Sequence, residues 1–251
     1  MRAVTATRYV APLREGGSMP GLVEADDDGL YVLKFRGAGQ GPLALVAEVI
    51  GGELARALGF AMPELVRIEL DPVLGHAEPD PEIQDLIAAS GGLNLALDFL
   101  PGSLPLDAGA AAALDPALAA SIVWLDALAM NVDRTPRNPN LLLWHGRVWL
   151  IDHGAALYVQ HRPEPLPEQP RRAFPAIADH VLLPYAAPIG DVDAELAAAL
   201  TPERLHAIAA QIPPDWLPGG PAAEAYAEFL LARLAGPRDF AEEAERARTG
   251  A

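Results

Sequence analysis

One β-hairpin interrupts an otherwise helical second half, and that interruption constrains the fold more than any other feature of this chain. Leu141 to Trp144 and Val148 to Ile151 are short apolar runs. His145-Gly146-Arg147 forms the turn between them. A polar run, Asn131 to Asn140, enters the hairpin, and Asp152-His153-Gly154 leaves it. Before the hairpin, Ala- and Leu-rich residues from Asp107 to Met130 are helical in pattern, and helices are expected again near 173–183, 193–199, 202–211 and 221–235. The first hundred residues differ. Tyr9 to Leu13, Gly21 to Glu24, Leu30 to Phe35 and Leu65 to Leu70 are strand-like, and the apolar run Asn94 to Leu100 leads to the crossing. The helical period between them lies at Leu43, Val46, Ile50, Leu54 and Leu58, stopped by Gly59 and Pro63, and a shorter helix spans Pro81 to Ser90. Strands with one main helix, followed by helices with one hairpin, predict an α+β chain in two lobes. Residues 1–100 form the first lobe and 101–251 the second, with Pro101-Gly102 at the crossing.

Bulk properties narrow the functional classes. The chain has 18 basic and 34 acidic residues, a net charge of -16. A nucleic-acid-coating role needs a basic face to displace counterions, and docking on an anionic membrane needs the same sign. Neither partner is expected. There is no cysteine, which excludes disulfides and thiolate metal sites. The start, MRAVTATRYV, lacks the apolar run of a signal peptide, and no uninterrupted apolar stretch is long enough to span a bilayer. A cytoplasmic protein is the expectation. Alanine, proline and glycine usage suits a GC-rich bacterial genome.

The chemistry-bearing residues flank the hairpin. Phosphoryl transfer asks a protein for hard oxygen ligands, a carboxylate near the attacking hydroxyl, and a cation on the phosphates. Asp133 and Asn138, five residues apart, supply a carboxylate and an amide oxygen, and Asn140 is an alternative to Asn138. Asp152, at the end of an apolar strand, supplies a second carboxylate on a rigid backbone, and Gly154 would let the chain turn away. Lys34 stands in the apolar strand Leu30 to Phe35, where an ammonium needs a partner. Glu48 and Glu53 on the following helix are its two candidates. Gly16-Gly17-Ser18 offers N–H groups and a hydroxyl that could cover phosphates. Several of these have plainer roles. Asp133-Arg134 could be a surface ion pair, Asn131 a helix cap, and Asp152 an ordinary turn former. Asp126, inside the apolar helix Trp124 to Leu128, needs a partner and could brace the loop through backbone N–H groups. The histidines show no zinc-site spacing, and no Gly-x-Ser-x-Gly elbow is present.

The order Gly-rich turn, strand Lys, helix Glu, Asp-x4-Asn loop and Asp-x-Gly resembles the kinase layout. In detail it is similar to the HipA-like kinases, on Tyr31-Val32-Leu33-Lys34-Phe35, Ala47-Glu48, Asn131-x-Asp133-Arg134, Asn138-Pro139-Asn140 and Leu150-Ile151-Asp152-His153-Gly154. The motifs cover about residues 5–160. The resemblance implies a protein kinase-like fold that uses ATP and magnesium. Lys34 would contact the phosphates, Asp133 would be the catalytic carboxylate, and Asn138 and Asp152 would hold magnesium. Asp98, Phe99 and Leu100 would form the adenine-side hinge, with Gly17 and Ser18 over the phosphates. His153 stands where many kinases have Phe, and the glycine-rich turn is incomplete. The acceptor hydroxyl, on a protein Ser or Thr or on a small molecule, is left open. Two other expectations stand beside transfer: a nucleotide-binding module that regulates a partner without turnover, and self-modification at Ser18.

Overall fold

The computed structural model describes residues 1–13, 19–39, 41–162 and 166–250, and shows a mixed α/β chain that divides into two compact units. The first comprises Met1–Val46 and Pro63–Gly102, the second Ala47–Met62 and Ser103–Ala251.

The first unit is a closed five-stranded barrel. Strands β1 (Ala3–Pro12), β2 (Gly21–Ala25) and β3 (Leu30–Lys34) pair antiparallel, β1 with β2 and β2 with β3. Helix α1 (Pro42–Ala57) follows, then β4 (Leu65–Leu70), helix α2 (Pro81–Ala89) and β5 (Gly92–Asp98). The strand order is β1-β2-β3-β5-β4, and a parallel pairing of β1 with β4 closes it. Strand alternation explains which side chains fill the barrel. Tyr31, Leu33 and Phe35 are buried with Val23, Ile68 and Ala96, so Lys34 falls on the opposite face of β3, half-buried, in register with Leu95. Asp80 caps α2 by accepting from the Glu82 amide at 3.0 Å, ahead of Pro81 at the first helical position.

The second unit is built around a buried helix. Strand β6 (Leu104–Pro105) pairs with β7 (Leu141–Trp144), which pairs with β8 (Arg147–Leu150). The two-residue loop His145-Gly146 has φ of 48° and 72°, the left-handed pair that a tight hairpin requires. Helices α3 (Ala108–Ala112) and α4 (Pro116–Ala129) precede the hairpin. The continuous helical pattern from Asp107 is in fact two helices, because Asp115 caps α4 through the Ala117 amide and Pro116 starts it. Ten residues of α4 are buried, from Ala119 to Ala129, so it is a core helix apolar all round. Helices α5 (Gly190–Ala199), α6 (Pro202–Ala209), α7 (Ala223–Leu234) and α8 (Asp239–Thr249) complete the unit.

Residues 47–62 pack with this unit, although the sequence assigns them to the strand-rich part. The Leu150 amide donates to the Ala61 carbonyl at 2.9 Å, and Gly51 lies against His153. The expected helix over 173–183 is instead two 3-10 turns, Pro175–Asp179 and Leu183–Tyr185, since Pro175 and Pro184 each break the i to i-4 ladder. Helix α8 was not foreseen. No helix among the described residues is long and apolar enough to cross a membrane.

Candidate active site

Helix α4 delivers the polar loop. It ends at Met130 in the left-handed conformation (φ 52°), and the Asn131 amide closes the last turn on the Asp126 carbonyl at 2.9 Å. Its terminal carbonyls, which lack helical partners, are taken by a buried arginine from α7. Arg233 donates from Nε to Leu128 O at 2.9 Å, from Nη2 to Ala127 O at 2.8 Å, and from Nη1 to Pro170 O at 2.9 Å. Burial pushes Arg233 down to about 10, which leaves it charged at neutral pH.

The loop folds back on Asp133. Thr135 and Asn138 bond to each other through both backbone groups at 3.1 Å, making a tight turn over Pro136-Arg137. The turn brings Asn138 Nδ2 to Asp133 Oδ2 at 2.8 Å. Asn140 Nδ2 lies 3.4 Å from Asp133 O and 3.5 Å from its Oδ2. Asn131 Oδ1 accepts from the Asp133 amide at 3.2 Å while its Nδ2 donates to Asp126 Oδ1 at 3.0 Å. Asn131 is therefore a brace between helix and loop. Burial pushes the Asp133 carboxyl above the usual aspartate range, and the negative charge of Asp152 pushes it further, against the hydrogen bonds of Asn138 and Asn140. The two carboxylates are thus near enough for the charge of one to act on the other.

The hairpin fixes the other side. Its base is pinned by the Ile151 amide on Asn140 O at 3.1 Å. Both flanking residues are left-handed, Asn140 with φ 49° and Asp152 with φ 54°. The turn beside Asp152 is made by that aspartate itself, not by Gly154, which stays out of the left-handed region.

Beneath these residues lies an ionic network that the sequence does not announce. Asp126 Oδ2 accepts from Arg134 Nε at 2.5 Å and from His180 Nε2 at 3.0 Å. Arg134 is 1% exposed and pairs with the buried Asp126, which removes the alternative of an Asp133-Arg134 surface pair. The partners of Asp126 are side chains rather than loop amides. Burial alone would raise Asp126, but Arg134 beside it and the His180 hydrogen bond hold it well below the usual range. His180 accepts from the Leu182 amide at Nδ1 (3.0 Å), so its proton sits on Nε2; burial lowers its pKa. Arg134 Nη2 lies 3.2 Å from His153 Nε2. A guanidinium only donates, so His153 Nε2 is the acceptor and Nδ1 carries the hydrogen. His153 Nδ1 is 3.9 Å from Glu48 Oε1, both side chains fully buried. The partner of Arg134 was legible as an unexplained aspartate in an apolar helix, whereas His180, distant in sequence, gave no signal.

The remaining expected residues lie apart from this cluster in sequence. Glu53 is half-buried, 3.9 Å from Arg56. Asp98 is exposed, and partial desolvation of its carboxyl, with the nearby charge of Glu64, raises it above the usual aspartate range. The Asp98 amide donates to Glu64 O and the Phe99 amide to Leu30 O, so both are committed within the sheet, and Leu100 is buried. Gly17 and Ser18 lie outside the described residues.

The donor set can be tested against magnesium. Asp133 and Asp152 are hard carboxylates, and Asn138 and Asn140 turn their amide nitrogens toward Asp133, which leaves each Oδ1 as an acceptor. Among the described residues no group of three or more His, Cys, Asp or Glu could hold a metal. Two carboxylates with amide oxygens fit magnesium, which keeps several waters and shares phosphate oxygens instead of taking an all-protein cage.

The HipA-like kinase family matches the chain over residues 7–236. Among solved structures, the chain is similar to a Helicobacter pylori proinflammatory kinase, CtkA, with a TM-score of 0.56 and 12% identity over 97% of each chain. At that identity the likeness speaks to the fold. No curated protein matches the chain.

Proposed function

This chain belongs to the HipA-like kinase family, and we propose that it transfers the γ-phosphate of ATP, with magnesium, to a hydroxyl acceptor. The observation that carries the proposal is the Asp133 carboxylate, held by the Asn138 amide at 2.8 Å and raised by burial and by Asp152. A carboxylate tuned upward and held on a braced loop is suited to orient a hydroxyl and take its proton. In this proposal the barrel unit is the N-lobe and the helical unit the C-lobe of a protein kinase-like fold.

ATP and magnesium, when bound, supply the phosphoryl group and the charge that offsets its oxygens. Asp152 and Asn138 would hold the metal, with Asn140 as the alternative amide. Asp133 accepts the proton of the acceptor hydroxyl as that oxygen bonds to the γ-phosphorus, and the bond from that phosphorus to the β–γ bridging oxygen breaks, its electron pair leaving with ADP. Lys34, with Glu48 as its proposed partner, places positive charge on the phosphates. Asp98, Phe99 and Leu100 are proposed at the adenine edge.

The test has two steps. Mg-ATP should raise the melting temperature of the wild type, and Asp152→Ala should abolish the shift. Labelled γ-phosphate should then reach protein or a small hydroxyl acceptor with the wild type and not with Asp133→Ala. Equal transfer by Asp133→Ala would remove that residue from the chemistry. Stabilisation by Mg-ATP with no transfer to any acceptor would make the chain a nucleotide-binding module.

A further inference from the structure

The two carboxylates of the site belong to different segments, a loop and a hairpin end, and one side chain touches both. Arg134 follows Asp133 directly. Its Nη1 donates to Asn140 O, at the entry to the hairpin, and reaches Ile151 O at 3.4 Å. Its Nη2 donates to His153 Nε2 at 3.2 Å. Ile151 and His153 are the two residues that flank Asp152. The Nε donates to Asp126 at 2.5 Å, and the Arg134 carbonyl accepts from the Val181 amide at 3.0 Å. A planar guanidinium with five donors in a fixed fork is thus anchored at its root and spans the base of the hairpin.

We propose that Arg134 is a positioning residue that sets the separation of Asp133 and Asp152. It touches neither substrate nor metal. It acts by tying the backbone on one side of Asp152 and the side chain on the other to the residue next to Asp133. The buried Asp126 neutralises the charge, which makes a wholly buried guanidinium tolerable. The same geometry accounts for His153 at a position where many kinases carry Phe: a phenyl ring offers no acceptor for Nη2. Lysine keeps the charge for Asp126 but, as a point donor, cannot reach Asn140, Ile151 and His153 together.

The inference rests on the proposed magnesium nucleotide site, and the test separates the two. In the full chain without nucleotide, Arg134→Lys should speed amide hydrogen exchange at residues 131–140 and 151–154, and leave the barrel and α7 unchanged. With ATP at fixed concentration, the magnesium midpoint of the thermal shift should rise by about tenfold or more, the usual cost of losing a residue that orients metal ligands. The shift produced by ATP in EDTA should not move. An unchanged magnesium midpoint overturns the inference. So does an equal loss of the EDTA and magnesium shifts, or faster exchange throughout α4, which is the mark of a general structural role. A wild type with no magnesium-dependent shift overturns the functional proposal, and this inference with it. If Arg134→Lys does not fold, His153→Phe removes one arm alone. It should raise the magnesium midpoint in the same way, and an unchanged midpoint there also overturns the inference.

Discussion

Gly51, in the middle of α1, offers the sharpest separation of stability from catalysis. A Cβ added there would lie 2.6 Å from His153 Cβ, 2.9 Å from its Cγ and 3.0 Å from its Cδ2. Carbon atoms pack at about 3.5–4.0 Å, so Gly51→Ala demands a displacement of about 1 Å. The nearest atom is a Cβ, fixed to backbone, so the shift passes to residues 152–154 instead of being absorbed by a flexible tip. Overpacking costs about 1–3 kcal/mol. Replacing a helical glycine by alanine returns about 1 kcal/mol. The net loss is about 0–2 kcal/mol, a fall in melting temperature of roughly 2–4 °C per kcal/mol for a chain of this size. Catalysis should respond far more, because a misplacement of about 1 Å costs on the order of 100-fold. The assay pairs a circular dichroism melt with initial rates of phosphoryl transfer. Gly190→Ala is the control: it opens α5 with nothing within 4 Å of an added Cβ, and both readouts should stay close to wild type. A Gly51→Ala variant that transfers phosphate within a few-fold of the wild-type rate refutes the reasoning.

Carbon-13 NMR of the nucleotide-free protein should find Asp133 titrating above the ordinary aspartate value; Asp152→Asn should lower it by removing a like charge, and Asn138→Ala should raise it by removing a hydrogen bond to the ionised form. Transfer needs the ionised carboxylate, so activity should fall as pH drops through that raised value. Asp126 and His180 are both lowered in the folded state, so the unfolded chain holds more protons, and stability should decline below about pH 6.5 through His180 and again below about pH 4 through Asp126. Denaturant titrations across pH should show the second fall in the wild type and a flatter curve in Asp126→Asn. Arg233→Met should destabilise by about 2–4 kcal/mol, because the Ala127 and Leu128 carbonyls keep their burial and lose their donor; a midpoint in urea equal to wild type would show that water replaces the guanidinium.

Much of the candidate site was legible because its spacing is local. Asp133 and Asp152 stand at either end of a segment whose turn chemistry, His145-Gly146, can be recognised without tertiary information. Helix α1 was legible from its apolar period and its stop at Gly59, which is left-handed with φ 83°. What escaped is non-local. The barrel closes through a parallel pairing between Val4 and Ile68, and no sequence pattern near either strand specifies that neighbour. Arg134 looked solvent-exposed because a polar residue in a polar loop usually is. Its burial depends on Asp126 one helical turn and a loop earlier, and on His180 from a segment whose prolines give it no helix. Helix α8 was missed because only Phe240, Ala241 and Ala244 of its residues are buried, too narrow a stripe to stand out among charges.

The left-handed backbone at Asn140 and Asp152 reaches beyond local geometry. Among side-chain-bearing residues, that conformation is most readily taken by asparagine and aspartate. These two are also the residues whose short side chains carry hard oxygen donors. At both ends of the hairpin the peptide geometry therefore admits nearly the same short alphabet that a metal-phosphate site demands. Random drift at either position meets a steric filter before it meets a chemical one, and the two side-chain-bearing residues that pass it most readily both carry an oxygen. The two positions can exchange asparagine for aspartate, changing the charge offered to the proposed ion, with the hairpin left standing. The charge of the site is in that sense a tunable quantity, and its shape is not.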